Sequence, residues 1–580
     1  MNLFLPVSLE EGAEYYHNFD QFDVIFITGD SYYDHPLSGV AVLTRLLDVK
    51  GYKVGIVAQP ETDADFSKCG KPKYFFCITS GLLDSMLANY TPMLRKRENV
   101  LVPERALITY TAKVKQLFKR SITVLGGVEA TIRRFTHFDY KENNLRRGIL
   151  NDSKAEILLF GNAERSLLEL IRKFKELDCI EEDFENVKEK LDLLHIDGAA
   201  YRIKKEEINP QAILLPSYEE CLKSKDSFNI IAKTIFLHPE EAFVEPCGLG
   251  LVQHNKAGDQ LTEEEMDFIY ELPFTRTLHP KMKNFDFNQK MIAGLKNSVI
   301  LGRGCWGGCT FCVIPLVQGK NVAKRSTESI VSEIERLYND GERLINDLTL
   351  PTLNMYGSYC DLYAVTQKKF SAIVDKDVVV MKKDKPCSQK CVGCSHRIIR
   401  DDLIPLLHEV EKLNVRCNTK LELRSAIRHD IILKQKKLFR EIMKFVMRLK
   451  IAPEHVRDEI LRQMNKSNRK AFLDFLKEYE LVNKEQSTHK NLVPYFVAAH
   501  PGCTIDDMYE LKKFCVEHKL FVNLTQVFTP TPGTIATSIY YTGRNPLTNE
   551  EVYVARTFRE RKEQKEILFS PYQDTDDESG

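Results

Sequence analysis

Cys305, Cys309 and Cys312 lie within VILGRGCWGGCTFCVIP, spaced Cys-x3-Cys-x2-Cys. Thiolates are the soft ligands that iron–sulfur clusters and zinc favour. A structural zinc site closes at four ligands, and no His or further Cys follows within short reach. Three thiolates on an iron–sulfur cubane leave one iron open to a small molecule. Gly302, Gly304, Gly307 and Gly308 surround the thiols. Glycine tolerates the turns and close backbone approach that wrapping a cluster demands. From spacing alone, a zinc loop or three buried thiols stay open as the other readings.

PCSQKCVGCSH repeats the spacing at Cys387, Cys391 and Cys394, with Cys360 upstream and His396 just beyond. Cys360 would supply a fourth thiolate and close the site. A closed four-thiolate site suits a structural zinc or an auxiliary [4Fe–4S] cluster, and three unligated thiols are the third reading. The chain has 15 cysteines. They read as buried thiols plus metal ligands rather than as a disulfide set, because no secretory or spanning segment is expected. No apolar run is long enough for a bilayer, so a cytoplasmic location is expected.

The 580 residues are 43% hydrophobic, enough for real cores. Lys+Arg and Asp+Glu are both 82, a balance that does not call for nucleic acid or an anionic membrane, although a local basic face stays open. Over residues 1–175, short apolar runs at Phe22–Gly29, Lys53–Val57, Tyr74–Thr79, Ser121–Gly127 and Glu156–Gly161 alternate with helices. That pattern predicts a doubly wound α/β domain with a parallel sheet, whose ligands bind at the strands' carboxyl ends. Those ends are Thr28-Gly29-Asp30, Thr79-Ser80-Gly81 and Gly126-Gly127. Residues 176–290 read as a connector with a charged helix near Glu181–Leu194.

Over 291–540 the alternation resumes. Strands are predicted at Ser298–Gly302, Leu344–Leu348, Val415–Leu423, Phe445–Ile451, Leu492–Ala498 and Val522–Phe528. Six βα units suggest a partial (β/α)6 barrel with its chemistry on the loops after the strands. The second cysteine set lies in an insertion at 358–397. Residues 541–580 form an extension ending in DTDDESG, an acidic tail expected to be disordered.

A cysteine triplet that follows an apolar strand, opens a βα alternation and carries Phe311 before its last cysteine resembles the radical S-adenosylmethionine (SAM) superfamily. The chain is more closely similar to the YgiQ-type radical SAM proteins. TGDSYYDHPLSGVAVLTRLL (Thr28–Leu47), GGVEATIRRFTHFDY (Gly126–Tyr140), GRGCWGGCTFC and PTLNMYG (Pro351–Gly357) carry the resemblance. RSAIRHD (Arg424–Asp430), LKIAPEH (Leu449–His455), PYFVAAHPGCT (Pro494–Thr504) and FTPTPGT (Phe528–Thr534) continue it in order. The segments around Glu245–Leu261 and Cys360–Pro386 diverge. The resemblance implies a [4Fe–4S] cluster on the first triad, chelation of SAM by its open iron, and one-electron cleavage to a 5′-deoxyadenosyl radical. It also implies a one-electron donor such as flavodoxin or ferredoxin. It names no substrate.

Candidate cofactor-binding residues follow from the strand ends. Phe311 lies within the cluster loop. Thr349 and Asn354 stand where many radical SAM enzymes bind the SAM amino group. Arg424 and Arg428 offer forked donors for its carboxylate, and Glu454 with His455 suits the ribose hydroxyls or the substrate. His500 and Thr529–Gly533 are expected on the substrate side. Turns, ion pairs and helix caps are the plain alternatives at each. The first domain is similar to cobalamin-binding domains that precede some radical SAM barrels. Asp34-His35 lacks the Asp-x-His-x-x-Gly spacing, so cobalt ligation by a His is not expected; a base-off cobalamin site or a degenerate domain stays open. Two rivals remain. FTPTPGTIA resembles the barrel end of tRNA methylthiotransferases, but the extra cysteines lie within the barrel. A non-catalytic metal scaffold would cleave no SAM.

Overall fold

The computed structural model describes residues 4–569, apart from 178–183, 363–364, 383–386, 388 and 523. Its first half is built on one nine-stranded sheet. The strands are β1 (Val24–Thr28), β2 (Val54–Ala58), β3 (Phe75–Thr79), β4 (Ile122–Leu125), β5 (Ile157–Leu159), β6 (Ala199–Ile203), β7 (Ile213–Leu214), β8 (Phe243–Cys247) and β9 (Gly250–His254). They lie in the order β2-β1-β3-β4-β5-β6-β9-β8-β7. The first five are parallel. All of β1 is buried, as expected of a strand covered on both faces. Helices Gly39–Val49 and Glu164–Leu177 cover one face through Val42, Leu46, Leu167 and Ile171. Helix Ala106–Leu117 covers the other through Leu107, Tyr110 and Val114. β2 and β3 flank β1 on opposite sides, so the switch point of this doubly wound sheet lies between β1 and β3.

The expected boundary at residue 175 cuts this sheet. β6 pairs antiparallel with β5 and with β9, β9 antiparallel with β8, and β8 parallel with β7. Residues 199–254 therefore extend the first sheet rather than form a connector. These strands are unevenly buried, one of them is two residues long, and Pro246 sits within another, so no apolar run marks them. The charged helix forms over Phe184–Leu191, and residues 181–183 of its expected start lie outside the described residues.

The second half is a partial barrel of six parallel strands in sequence order. They are β10 (Ser298–Ile300), β11 (Leu344–Ile345 and Asp347–Thr349), β12 (Lys420–Leu421), β13 (Arg448–Glu454), β14 (Asn491–Ala498) and β15 (Leu524–Val527). Ladders join β10 to β11, β11 to β12, β13 to β14 and β14 to β15. A bridge between Ile427 and Ile451 continues the sequence from β12 to β13. Two boundaries move. Val415 is the exposed side of helix Leu403–Cys417, 81% accessible, not the start of a strand. Phe445 ends helix Lys436–Phe445. β-branched and aromatic residues favour strands only when they pack as strands do.

The insertion forms a hairpin, Val365–Ser371 with Lys376–Lys382. Its tip returns to the first half: Ile373 is fully buried in the same apolar cluster as Val24 and Leu167, and Asp375 pairs with Lys50 at 2.6 Å. Helix Phe558–Ile567 docks on the barrel, where the Gln564 carbonyl accepts the Ala499 N–H at 2.8 Å. The acidic tail lies outside the described residues. Among the described residues no helix is long and apolar enough to cross a membrane.

Buried ion pairs join the halves. The Glu333 carboxylate bridges Arg276, from the end of the first half, and Arg325, from the barrel. Arg276 also donates to the carbonyls of Lys296 and Ser298 beside β10. Arg303, three residues after β10, pairs with Glu164 and donates to the Tyr270 hydroxyl at 2.6 Å. Removing one partner of such a set strands a buried charge. Glu333→Gln is expected to lower stability to chemical denaturation by about 3–5 kcal/mol. Glu176→Gln, at an exposed pair with Arg172, should change it by less than about 0.5 kcal/mol. Equal small losses would contradict the bridging role of Glu333.

Candidate active site at the barrel mouth

The cysteine triad sits on the loop that leaves β10. The loop is held from outside: the Cys305 N–H donates to Gly319 O at 3.2 Å, and the Thr310 N–H to Met464 O at 3.2 Å. The Thr310 hydroxyl donates to Gln463 O at 2.7 Å, and Asn465 Nδ2 donates to Gly308 O at 2.8 Å. Gly307 keeps the thiols clear. A Cβ there would lie 3.4 Å from Cys305 Sγ, 3.8 Å from Cys309 Sγ and 3.0 Å from Arg428 Nη1.

The donors around the sulfurs suit a bound metal cluster. The Gly307 N–H donates to Cys305 Sγ at 3.4 Å, and Arg428 Nη1 donates to Cys309 Sγ at 3.5 Å. Thr352 Oγ1 lies 3.6 Å from Cys305 Sγ. Burial pushes the Cys312 thiol up to about 12, so nearby cations favour its thiolate form. Two buried cations stand here. Arg428 is clamped by Asp430 in a two-pronged pair at 2.9 and 2.6 Å. Lys466 pairs with Glu454 at 3.2 Å and donates to Ala452 O at 2.8 Å. Burial opposes its charge, yet Cys309 and Glu454 outweigh burial and raise its pKa.

The sequence candidates divide. Phe311, Arg428 and Glu454 lie at the mouth. The Phe311 ring meets the His500 ring edge-on at 5.8 Å, and Glu454 takes φ 70° at the end of β13. Asn354 is fully buried, but its amide is spent: Nδ2 donates to Arg428 O and Gln435 Oε1, and Oδ1 accepts the Arg428 N–H at 2.9 Å. It positions Arg428 rather than offering an acceptor to a ligand. Arg424 turns outward to Glu422 at 2.6 Å, the plain ion pair. Thr349 lines a separate cavity, described below. His455 packs inward, with Nδ1 accepting the Arg457 N–H and Nε2 3.7 Å from Cys503 Sγ. Lys466 and Thr352 join the site without having been singled out as ligands. A lysine in QMNKSNRK carries no local signal, since only the fold brings it to Cys309.

A cavity of about 420 Å³ lies where the carboxyl ends of the first sheet face the barrel. Phe26, Leu43, Val124 and Leu167 line it from the sheet and its helices; Gly81, Gly126 and Gly127 line it at the strand ends; Arg303, Thr349 and Leu350 line it from the barrel. Gly127 has φ 85°, and a Cβ there would lie 2.4 Å from Thr79 Oγ1. The three strand ends singled out in the sequence therefore surround one space. His35 is committed elsewhere. Its Nδ1 accepts the Leu37 N–H at 3.0 Å, and Nε2 lies 3.1 Å from both Lys296 O and Arg276 Nη1.

Five buried imidazoles are held neutral. Burial lowers His35 and His455 to about 3, and His137, His429 and His500 to about 4. In the unfolded chain each titrates near 6.5. Below that pH the unfolded state binds protons that the native state refuses, so stability is greatest above it and falls with pH. The urea midpoint is expected to drop steadily from about pH 7 to about pH 5. His500→Phe, which keeps the ring packing against Phe311 and Phe528, should lessen the slope. A flat profile would refute neutral burial.

Comparison with known proteins places the chain. The Radical SAM N-terminal family matches residues 4–295, and a domain of unknown function (DUF3362) matches residues 523–578. The chain is 36% identical over 592 residues to UPF0313 protein MJ1155 of Methanocaldococcus jannaschii, covering 97% of this chain and 92% of that protein. It is 33% identical to UPF0313 protein FN0734 of Fusobacterium nucleatum, covering 97% and 98% respectively. Among solved structures it is similar in fold to TsrM from Kitasatospora setae, a radical S-adenosylmethionine methyltransferase with cobalamin and a [4Fe–4S] cluster bound. That match has TM-score 0.50 and 12% identity, and covers 89% of this chain and 74% of that one. With a doubly wound cobalamin-binding-like domain ahead of a partial barrel, and curated relatives matched along nearly its whole length, the chain belongs to the UPF0313, or YgiQ-type, family of radical SAM proteins.

Proposed function

We propose that the protein is an enzyme that cleaves SAM reductively and directs the resulting radical at a substrate held in the barrel mouth. The observation that carries this is the open triad itself: three thiols on a glycine-cleared loop, with the buried Arg428 donating to Cys309 Sγ. When bound by Cys305, Cys309 and Cys312, a [4Fe–4S] cluster supplies one electron to the SAM sulfonium. The chain's own residues do the rest. Thr352 and Arg428 lie at the sulfurs, and Lys466, paired with Glu454, feels the charge of Cys309; together they offer both signs of charge to the amino acid and ribose of SAM. Phe311, His500 and Phe528 form an aromatic wall that excludes water from a reactive intermediate. The electron comes from a one-electron donor of the flavodoxin or ferredoxin class.

The cavity supports a second cofactor. We assign it to the nucleotide tail of a corrinoid, the group that TsrM binds. Its apolar lining and glycine-bordered strand ends suit an aromatic base with a phosphate at the switch point. The committed hydrogen bonds of His35 mean that a corrinoid held here takes no ligand from that residue.

Anaerobically reconstituted protein given SAM and dithionite is expected to form 5′-deoxyadenosine. Cys309→Ala should abolish it, and Arg428→Met should cut the rate by at least about tenfold, the worth of a charge-assisted hydrogen bond. No product with several reductants would defeat the enzymatic reading. Separately, protein mixed with hydroxocobalamin and desalted should keep its corrin absorbance. Leu43→Trp, which fills the cavity, should lose it. Loss of the band in both proteins would remove the corrinoid but not the SAM chemistry.

A further inference from the structure

We infer that Cys360, Cys387, Cys391 and Cys394 bind a second iron–sulfur cluster, seated directly against the loop of the first. The two loops share a backbone pattern as well as a spacing. The Gln389 N–H donates to Cys387 Sγ at 3.4 Å, as the Gly307 N–H does to Cys305 Sγ at 3.4 Å. The Cys394 N–H donates to Cys391 O at 3.2 Å, as the Cys312 N–H does to Cys309 O at 3.2 Å. Both pairs fall at the same offsets from their cysteines. The intervening side chains differ, so the pattern does not come from them. The loops differ in where the backbone turns left-handed: at Gly308 (φ 66°) in the first, at Gln389 (φ 62°) and Gly393 (φ 80°) in the second.

The fourth thiolate is delivered by a ladder. Cys360 pairs with Arg397, and Tyr359 with Ile398. The Arg397 N–H in turn donates to Cys394 O at 3.1 Å, which puts Cys360 beside the third cysteine of the loop. His396 is turned away: its Nδ1 meets Asp361 at 2.9 Å, half-exposed. Four cysteines and no histidine make a closed set with no vacant coordination position, so this is not a second SAM site.

Placement gives the site its use. A Cβ on Gly308 would lie 3.9 Å from Gln389 O, and Lys320 Nζ ties Gln389 to the first loop's side of the barrel through its carbonyl and side chain. Cys391 shares a core with Trp306, and the Arg397 guanidinium covers the Trp306 ring at 4.9 Å. On the other side, Lys390 and His396 face solvent. The second cluster thus stands between solvent and the first. One electron from a flavodoxin- or ferredoxin-class donor would reduce it by one unit, and passing that electron inward would reoxidise it. This role, though not the site itself, rests on the radical SAM reading above.

Iron, sulfide and zinc measured on anaerobically reconstituted full-length protein, with Mössbauer spectroscopy, test the site. About eight irons and eight sulfides per chain are expected. About four should remain in the triple variant Cys305→Ala, Cys309→Ala, Cys312→Ala, and about four in Cys387→Ser, Cys391→Ser. If the latter variant fails to fold, the triple variant decides, because it leaves the second loop untouched. About four irons in the wild type, with or without one zinc, would overturn the inference, as would a triple variant without iron. Four irons with 5′-deoxyadenosine formed would defeat this site and leave the enzymatic reading standing. Eight irons without 5′-deoxyadenosine would do the reverse.

Discussion

A glycine-rich loop that must present three thiols cannot hold its own shape. Every side chain that would stiffen it would also crowd the sulfurs, as the contacts of a Cβ at Gly307 make plain. Order has to come from elsewhere, and the barrel supplies it. Met464, Gln463 and Asn465 follow β13, Ala536 follows β15, and Arg428 follows β12; all contact the loop. Each tie is a hydrogen bond at least partly out of water, where an unmade bond is expensive. Three strands of the barrel are thus spent on fixing one turn of chain.

Two of the chain's left-handed residues close strands at the barrel mouth. Glu454 at the end of β13 and Ala499 at the end of β14 both take left-handed backbone, with φ 70° and 57°. Neither is glycine, and each pays about 1–2 kcal/mol for it. Lys466 pins the first, and the Gln564 carbonyl, reaching from the C-terminal helix, pins the second. Such residues persist only where the surroundings over-determine them, which is typical of functional clefts.

Much of this was legible in the sequence, and the parts that were not share a cause. Continuous apolar runs marked the parallel strands because those strands are buried on both faces. The cysteine triad was visible because its spacing is itself the chemistry. β6 to β9 were missed because strands on the antiparallel side of a mixed sheet, unevenly buried and interrupted by Pro246, show no such run. Asn354 looked like a ligand and Lys466 drew no notice, because local sequence does not say what faces a side chain across a fold. Asn465 meets Gly308 from 157 residues away, and no local pattern encodes that meeting.

The insertion hairpin is a clasp. It grows from the barrel, yet Ile373 at its tip fills a hole in the first domain's core, while Arg276 and Arg303 bind the same halves from within. The halves are therefore coupled at three places far apart along the chain. Neither can lose its packing without exposing apolar surface or stranding a charge in the other. The molecule is therefore expected to melt as one cooperative unit, with the sheet that borders the cavity keeping its aim on the thiol loop for as long as the fold survives.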